Sequence, residues 1–473
     1  MLLNSFLYLF LFLPVVALGY YYLGRAKATR FAQAFLLAVS LAFYAYAKPE
    51  YLPVLVGSIL FNCWVAHRIC RQPLPGPRKA WLYAALTINV LLLAAFKYSG
   101  PLLGHIGQAV GLGIDLGHLE FPLGISFFTL TQVMFLVDCY QGFAQPVSLF
   151  DHATSVAFFP CISSGPITRI AELQPQLHQE LPGEDRARQA CHGLFLLALG
   201  LTKKVVLADT LAQIVNVGWG SVGHLSCIEA WTFSFAYTFQ MYFDFSGYTD
   251  MAMGSAWLLG IQIPKNFNAP YLATSISEFW QRWHMSLTHF ITNYLYTPIL
   301  RSFGKATLAT SAVATILAMT IAGVWHGSAW TYVIWGVMHG VALAVNQIWK
   351  RRKLKMSRGL GWLLTFLWVN ATLVVFRAPS VTSALDMLKA MLPSANLADL
   401  TTLLTAKPPS VTLSLTAVAV GIAIVFLTKT PSWARAQALK LNFLSVVATS
   451  SLLLLSFLYL NSTSAKTFVY FAF

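Results

Sequence analysis

The stretch "AGVWHGSAWTYVIWGVMHG" (322–340) decides how this chain is read. His326 and the small residues after it interrupt what would otherwise be apolar sequence from about 307 to 348. About 20 apolar residues in a helix cross the hydrocarbon of a bilayer. The stretch therefore predicts two membrane passes, 307–325 and 330–348, with an imidazole at the break. Working outward, runs of the same length recur near 5–23, 31–47, 51–68, 80–97, 121–140, 226–245, 360–377, 410–427 and 441–460. The fold class is an all-α polytopic membrane protein of about 11 transmembrane helices.

Composition agrees. The 473 residues are 57% hydrophobic and only 10% charged, against about 25% charged in an average soluble chain. A net charge of +15 would suit nucleic acid if it were concentrated in a basic patch. Here the basic residues sit in short loops between apolar runs, which is the signature of membrane topology. The six cysteines are scattered without a CxxC pair and read as small buried hydrophobes. The first run, 5–23, has no basic region before it and no small-residue cleavage site after it, so it is expected to be a retained helix.

Orientation follows from charge. Sixteen lysines and arginines fall in four alternate loops, around 25–30, 68–79, 350–358 and 429–440, against four in the connections on the other side and one, Lys466, in the tail. The positive-inside rule makes the first set cytoplasmic. Both termini then face the periplasm, if the membrane is a bacterial inner membrane. The connection 378–409 is the long outer one; "VTSALDMLKAML" (381–392) within it has helical spacing and lies either along the interface or packed on the protein. Between 141 and 306 the apolar pattern is broken by Pro, Gly and charge, around 153–165 and 188–218. Broken segments at membrane depth are tolerated only when shielded by protein or lining a wet cavity. The middle third is thus where a site is expected.

Three stretches set polar groups in apolar surroundings, where each ionisable group is costly. "MYFDFSGYTDMAMG" (241–254) carries Asp244 and Asp250, and "SISEFWQRWHMSL" (275–287) carries Glu278, Arg282 and His284. The opening stretch carries His326 and His339. Glu278 and Arg282 are spaced i, i+4, as are Trp280 and His284, so on one helix each pair would share a face. The first pair reads best as a structural ion pair. His284 is either a packed interfacial histidine or part of a site. His326 suits a general base for a hydroxyl on another segment, since a neutral imidazole can take a proton and pass it on. Its bland alternative is a satisfied core histidine. His339 is expected to pack or support. The histidines lack metal-site spacing and cysteine companions, so no metal is expected.

At these residues a family resemblance emerges. "FPLGISFFTLTQ" (121–132), "SGPITRI" (164–170), "YFDFSGYTDMAMG" (242–254), "NFNAPYLATSISEFWQRWHMSL" (266–287) and "GVWHG" (323–327), in that order, resemble the membrane-bound O-acyltransferase family. The likeness is greatest to the bacterial branch of the alginate O-acetyltransferase and the teichoic-acid D-alanyl transferase, and it covers essentially the whole chain, 1–473, as a single membrane domain. The resemblance implies a ring of outer helices, with re-entrant and interfacial ones, around a thin centre pierced by a tunnel. It implies catalytic roles for His326 and His284. It further implies acetyl-CoA as cytoplasmic donor with no bound cofactor. A periplasmic partner of the SGNH class would place the acyl group on an exported polysaccharide within a synthesis and export complex. Arg169, Asp209, Asp244, Asp250, Glu278, Arg282 and Trp325 are weaker candidates for substrate contact.

The chain ends on "FVYFAF" (468–473), similar to an aromatic motif of the same branch. The resemblance implies that the phenylalanines seat the tail (461–473) and that Tyr470 offers its hydroxyl to His326 as an acyl carrier. An aromatic anchor at the membrane interface is the other reading. One departure stands out: where alginate-type members carry a Gly-Gly-Asn-Arg run, this chain reads "YLYTPILRSFGKA" (294–306), which leaves the polymer open. The competing function is a transporter of an acyl or lipid-linked substrate. Against it stands the lack of any internal duplication.

Overall fold

Each apolar run becomes a helix. The computed structural model describes residues 1–25, 29–110, 122–179, 183–392, 409–462 and 468, and no strand occurs among them. Among the described residues, six helices are long and apolar enough to cross a membrane: Thr29–Ala47, Pro49–Arg71, Pro75–Ser99, Leu308–His326, Arg358–Arg377 and Phe443–Leu460. The bent pair Thr416–Leu427 and Ser432–Ala438 makes a seventh if it forms one broken span. The other expected spans are helices of a different character. The run at 121–140 yields the 17-residue Ile125–Gln141, and the run at 5–23 yields Tyr8–Phe12 and Leu13–Arg25. The runs at 226–245 and 330–348 lie in Cys227–Leu258 and Trp330–Arg351, which carry polar and charged residues among the apolar ones.

The chain packs as two units, Met1–Leu197 with Met251–Pro264, and Ala198–Asp250 with Lys265–Phe473. The first is knit by aromatic rings and by amide pairs. Tyr8, Phe12, Phe43 and Phe159 meet at ring centroid separations of 5.2–6.3 Å. Asn62 and Asn89 exchange amide hydrogen bonds, Nδ2 to Oδ1, at 3.2 and 2.7 Å. Such reciprocal pairs join apolar helices where hydrophobicity alone gives no preference for protein over lipid. The broken stretch near 153–165 forms the short helices Leu149–Ala157 and Phe159–Ile162. Their residues 154–160 are buried, as irregular backbone at this depth requires.

The second unit holds the ionisable groups of all three polar stretches, the first stretch passing into the other unit after Asp250. Its centre is the hairpin of Leu308–His326 and Trp330–Arg351. Glycines set how close these helices come: a Cβ on Gly323 would lie 2.3 Å from the Tyr332 carbonyl oxygen, and one on Gly336 2.5 Å from that of Met319. Close backbone approach through small residues is the usual way membrane helices gain packing energy. Arg358–Arg377 packs beside the hairpin. Val381–Ala390, the expected surface helix, buries Ala384 and Met387, and Met387 packs with Ala230 and Val374. Its opposite face leaves Val381 and Leu385 exposed. Of the two readings, the packed one describes it.

Candidate active site

His326 is the last residue of its helix, and the chain turns into extended backbone at Gly327. That turn needs a glycine for space rather than for its dihedral angles, because a Cβ there would meet the Tyr332 ring at 2.2 Å. The imidazole is 3% exposed. It sits among the rings of Trp325, Trp335 and Phe376, at 4.8, 5.0 and 5.2 Å between centroids. Trp325 is thus at the site as one wall of it.

Trp335 carries the contact onward, its ring lying 4.9 Å from His339. His339 Nδ1 accepts a hydrogen bond from Trp280 Nε1 at 3.2 Å. An indole nitrogen only donates, so the proton of neutral His339 is on Nε2. This histidine packs and supports, as its sequence context suggests. It also corrects one pairing. The i, i+4 spacing set Trp280 beside His284, but the helix Ile276–Arg282 ends before the second partner. Trp283 is extended and His284 is left-handed, with φ 42° and ψ 55°. The shared face is lost, and Trp280 turns to His339 instead. Glu278 and Arg282, both inside the helix, do pair at 2.7 Å. Glu278 also accepts from the Thr274 backbone N–H and hydroxyl, each at 2.8 Å, and Arg282 donates to the Asn268 carbonyl at 3.3 Å. The pair ties the loop to the helix.

His284 is 1% exposed. The ring of Phe245 meets it edge to face at 4.7 Å, and its Nδ1 lies 3.3 Å from Asn266 Oδ1. Phe468, from the C-terminal aromatic motif, is buried and stacks on Tyr248 at 4.5 Å, with Phe245 at 5.7 Å. One phenylalanine ring therefore touches both His284 and the tail. Tyr470 lies outside the described residues.

The remaining candidates are paired elsewhere. Lys204, 2% exposed, lies 2.8 Å from Asp209 and 2.7 Å from Asp244. Lys203 bonds Asp250 at 2.7 Å and the Ser432 hydroxyl at 2.5 Å. Both lysines lie on a π-helical turn, Lys203–Ala208. Sequence reasoning singled out the aspartates and missed the lysines; the one available signal was "KK" inside the apolar run 188–218. Arg169, in the first unit, lies 3.7 Å from Asp138 and 3.8 Å from Glu172.

The ordered motif series that carries these histidines has its counterpart among known proteins. The family model of the membrane-bound O-acyltransferases matches residues 55–382. The chain belongs to this family. A peptidoglycan O-acetyltransferase of Helicobacter pylori is 39% identical over 83% of this chain and 80% of its own length. A probable alginate O-acetylase of Pseudomonas aeruginosa is 34% identical over 83% of this chain and 75% of its own. A teichoic acid D-alanyltransferase of Streptococcus thermophilus is 28% identical over 54% and 68%. The protein is thus a multi-pass membrane O-acyltransferase.

Proposed function

We propose that this O-acyltransferase takes an acetyl group from acetyl-CoA on the cytoplasmic side of the bacterial inner membrane. The group then passes, by way of Tyr470, to an acceptor on the periplasmic side. What supports the relay is the seat of Phe468 on Tyr248 and on Phe245, the ring that also meets His284. Phe468, two residues before the tyrosine in sequence, is thus separated from His284 by the one ring of Phe245.

In the first step the Tyr470 hydroxyl attacks the thioester carbonyl. His326 accepts the phenolic proton and returns it to the departing thiolate, so free CoA and an acetyl ester of Tyr470 result. In the second step an acceptor hydroxyl attacks that ester; its proton goes to the imidazole and then to the departing phenoxide, which restores Tyr470. Phenoxide, with a parent pKa near 10, leaves far more readily than a sugar alkoxide. Two easier steps thus replace one hard one. His284 assists by orienting the acyl group or stabilising the developing oxyanion.

The relatives named for peptidoglycan and alginate support a sugar hydroxyl of an envelope polysaccharide as final acceptor. A periplasmic SGNH-type transferase would carry the group over the last step. Both termini would then face the periplasm, as the loop charges predict. Intact-mass analysis after incubation with acetyl-CoA tests the relay. An acetyl adduct mapped to Tyr470, absent in Tyr470→Phe and in His326→Ala, is the expected result. Full polymer acetylation in cells carrying Tyr470→Phe, with no adduct on the wild type, would sink the relay and leave direct transfer.

A further inference from the structure

His284 is held by one residue twice. Its left-handed backbone is an uncommon and strained conformation for a residue with a Cβ, although histidine visits it more than most. Strain of this kind persists only where neighbours fix it. Here the neighbour is Asn266, fully buried. Its backbone carbonyl accepts from the N–H of Met285, the next residue, at 3.0 Å. Its side-chain Oδ1 accepts from the Ser286 backbone N–H at 3.1 Å and from the Ser286 hydroxyl at 2.7 Å. The same oxygen faces His284 Nδ1 at 3.3 Å.

These contacts settle which way the amide points. A backbone N–H can only donate, so the atom facing Ser286 N is the amide oxygen and not the NH2. An oxygen that faces an imidazole nitrogen needs a proton on that nitrogen. His284 therefore carries its proton on Nδ1, and the lone pair of the neutral ring is on Nε2. This is the opposite tautomer to that of His339, which the Trp280 indole fixes.

We propose that Asn266 is a positioning residue for acyl transfer: it fixes His284 as the Nδ1–H tautomer and in the strained backbone, so that Nε2 is the basic nitrogen offered to the reaction. The role rests on the reading of His284 as part of the acyl-transfer site; the tautomer does not. In a triad the carboxylate partner of a histidine acts in the same way, by setting tautomer and orientation without taking part in bond making.

The test is ¹⁵N-histidine NMR of the full-length protein in detergent or bilayers, with the His284 signal assigned by its loss in His284→Gln. The wild type should show a protonated Nδ1 and an unprotonated Nε2. A wild type protonated on Nε2 overturns the proposal before any variant is made. Asn266→Ala should let the Nε2–H form appear and lower acetyl turnover by at least about tenfold, within the ~10²–10⁴ that positioned proton transfer contributes. KM for acetyl-CoA should change by less than about twofold, since the lost interaction serves the transition state and not ground-state binding. Asn266→Asp keeps an acceptor oxygen and should keep the tautomer and recover part of the turnover. Asn266→Ala with an unchanged tautomer and full turnover overturns the proposal. A tautomer that follows Asn266 in a protein that transfers no acetyl group would support the assignment and count against the functional reading alone.

Discussion

Two polar clusters in the second unit answer the same cost in opposite ways. Around Lys203 and Lys204, charge meets charge: three aspartates and two lysines lie within 2.7–2.8 Å of one another in pairs. Around His284, His326 and His339, imidazoles are held by aromatic rings, by the Trp280 indole and by the Asn266 amide. The first arrangement neutralises, and the second orients. An ionisable residue at membrane depth is a functional hypothesis by default, yet the difference here lies in its surroundings. Asp244 and Asp250 are explained by their lysines. His326 sits at the end of a helix, against a glycine-permitted turn, in a shell of aromatic rings.

The sharpest way to break this comparison is a crossed pair of substitutions. His326→Gln, which keeps most of the buried volume, should abolish transfer, by about 10²–10⁴ or more if His326 is the general base, and lower the thermal midpoint in detergent far less than the stranding of a buried charge does. Lys204→Met should do the reverse. It strands Asp209 and Asp244 in each other's presence, and removing one partner of a buried ion pair costs about 3–5 kcal/mol. Yield and thermal midpoint should fall, and the protein that does fold should still transfer. A Lys204→Met protein of normal stability and no activity would move the lysine cluster into the catalytic machinery.

The tail joins the comparison from the histidine side. Two aromatic contacts hold Phe468, and such pairs are worth about 0.5–1.5 kcal/mol each. Phe468→Ala should therefore loosen tail docking by about 1–3 kcal/mol. Transfer should fall about tenfold or more while the unfolding midpoint stays put, as read from acetyl-CoA turnover beside a melt. Unchanged turnover would make the tail an anchor.

Much of this was legible in the sequence. Spacing of apolar runs located the helices, since a bilayer demands length and backbone satisfaction whatever the tertiary contacts. The motif order located His284 and His326. Partnerships were less legible. Glu278 with Arg282 followed from helical spacing, and the same rule failed for Trp280 with His284 only because the helix stops at Arg282. Nothing local announces that stop: "QRWHMS" has no proline or glycine. The left-handed turn is imposed from the loop at Asn266 and Asn268, through bonds to Met285 and from Asn268 N–H to the Arg282 carbonyl. Lys203 and Lys204 escaped notice for a related reason, since their aspartate partners lie five to 47 residues away in sequence.

The smallest effect sharpens the line between the clusters, because Glu278 and Arg282 neutralise each other at the edge of the histidine site. Burial pushes the Glu278 carboxyl up, but the Thr274 N–H, the Thr274 hydroxyl and the Arg282 guanidinium together outweigh it and hold it below the usual glutamate value. A carboxyl depressed by folding adds stability that is complete above its unfolded pKa, and this is lost as pH falls through the folded one. Both side chains are nearly a third exposed, so solvent screens the pair and its worth is at most about 1 kcal/mol. Glu278→Gln should lower the unfolding midpoint slightly at neutral pH and converge with the wild type in acid, below the ordinary glutamate range. Turnover at neutral pH should hold within about twofold, because such an exposed pair ties the 266–275 loop to its helix by no more than that 1 kcal/mol. A much larger loss of turnover with an unchanged melting curve would mean that the carboxylate acts on the acyl donor or acceptor, and that the pair belongs with the histidines after all.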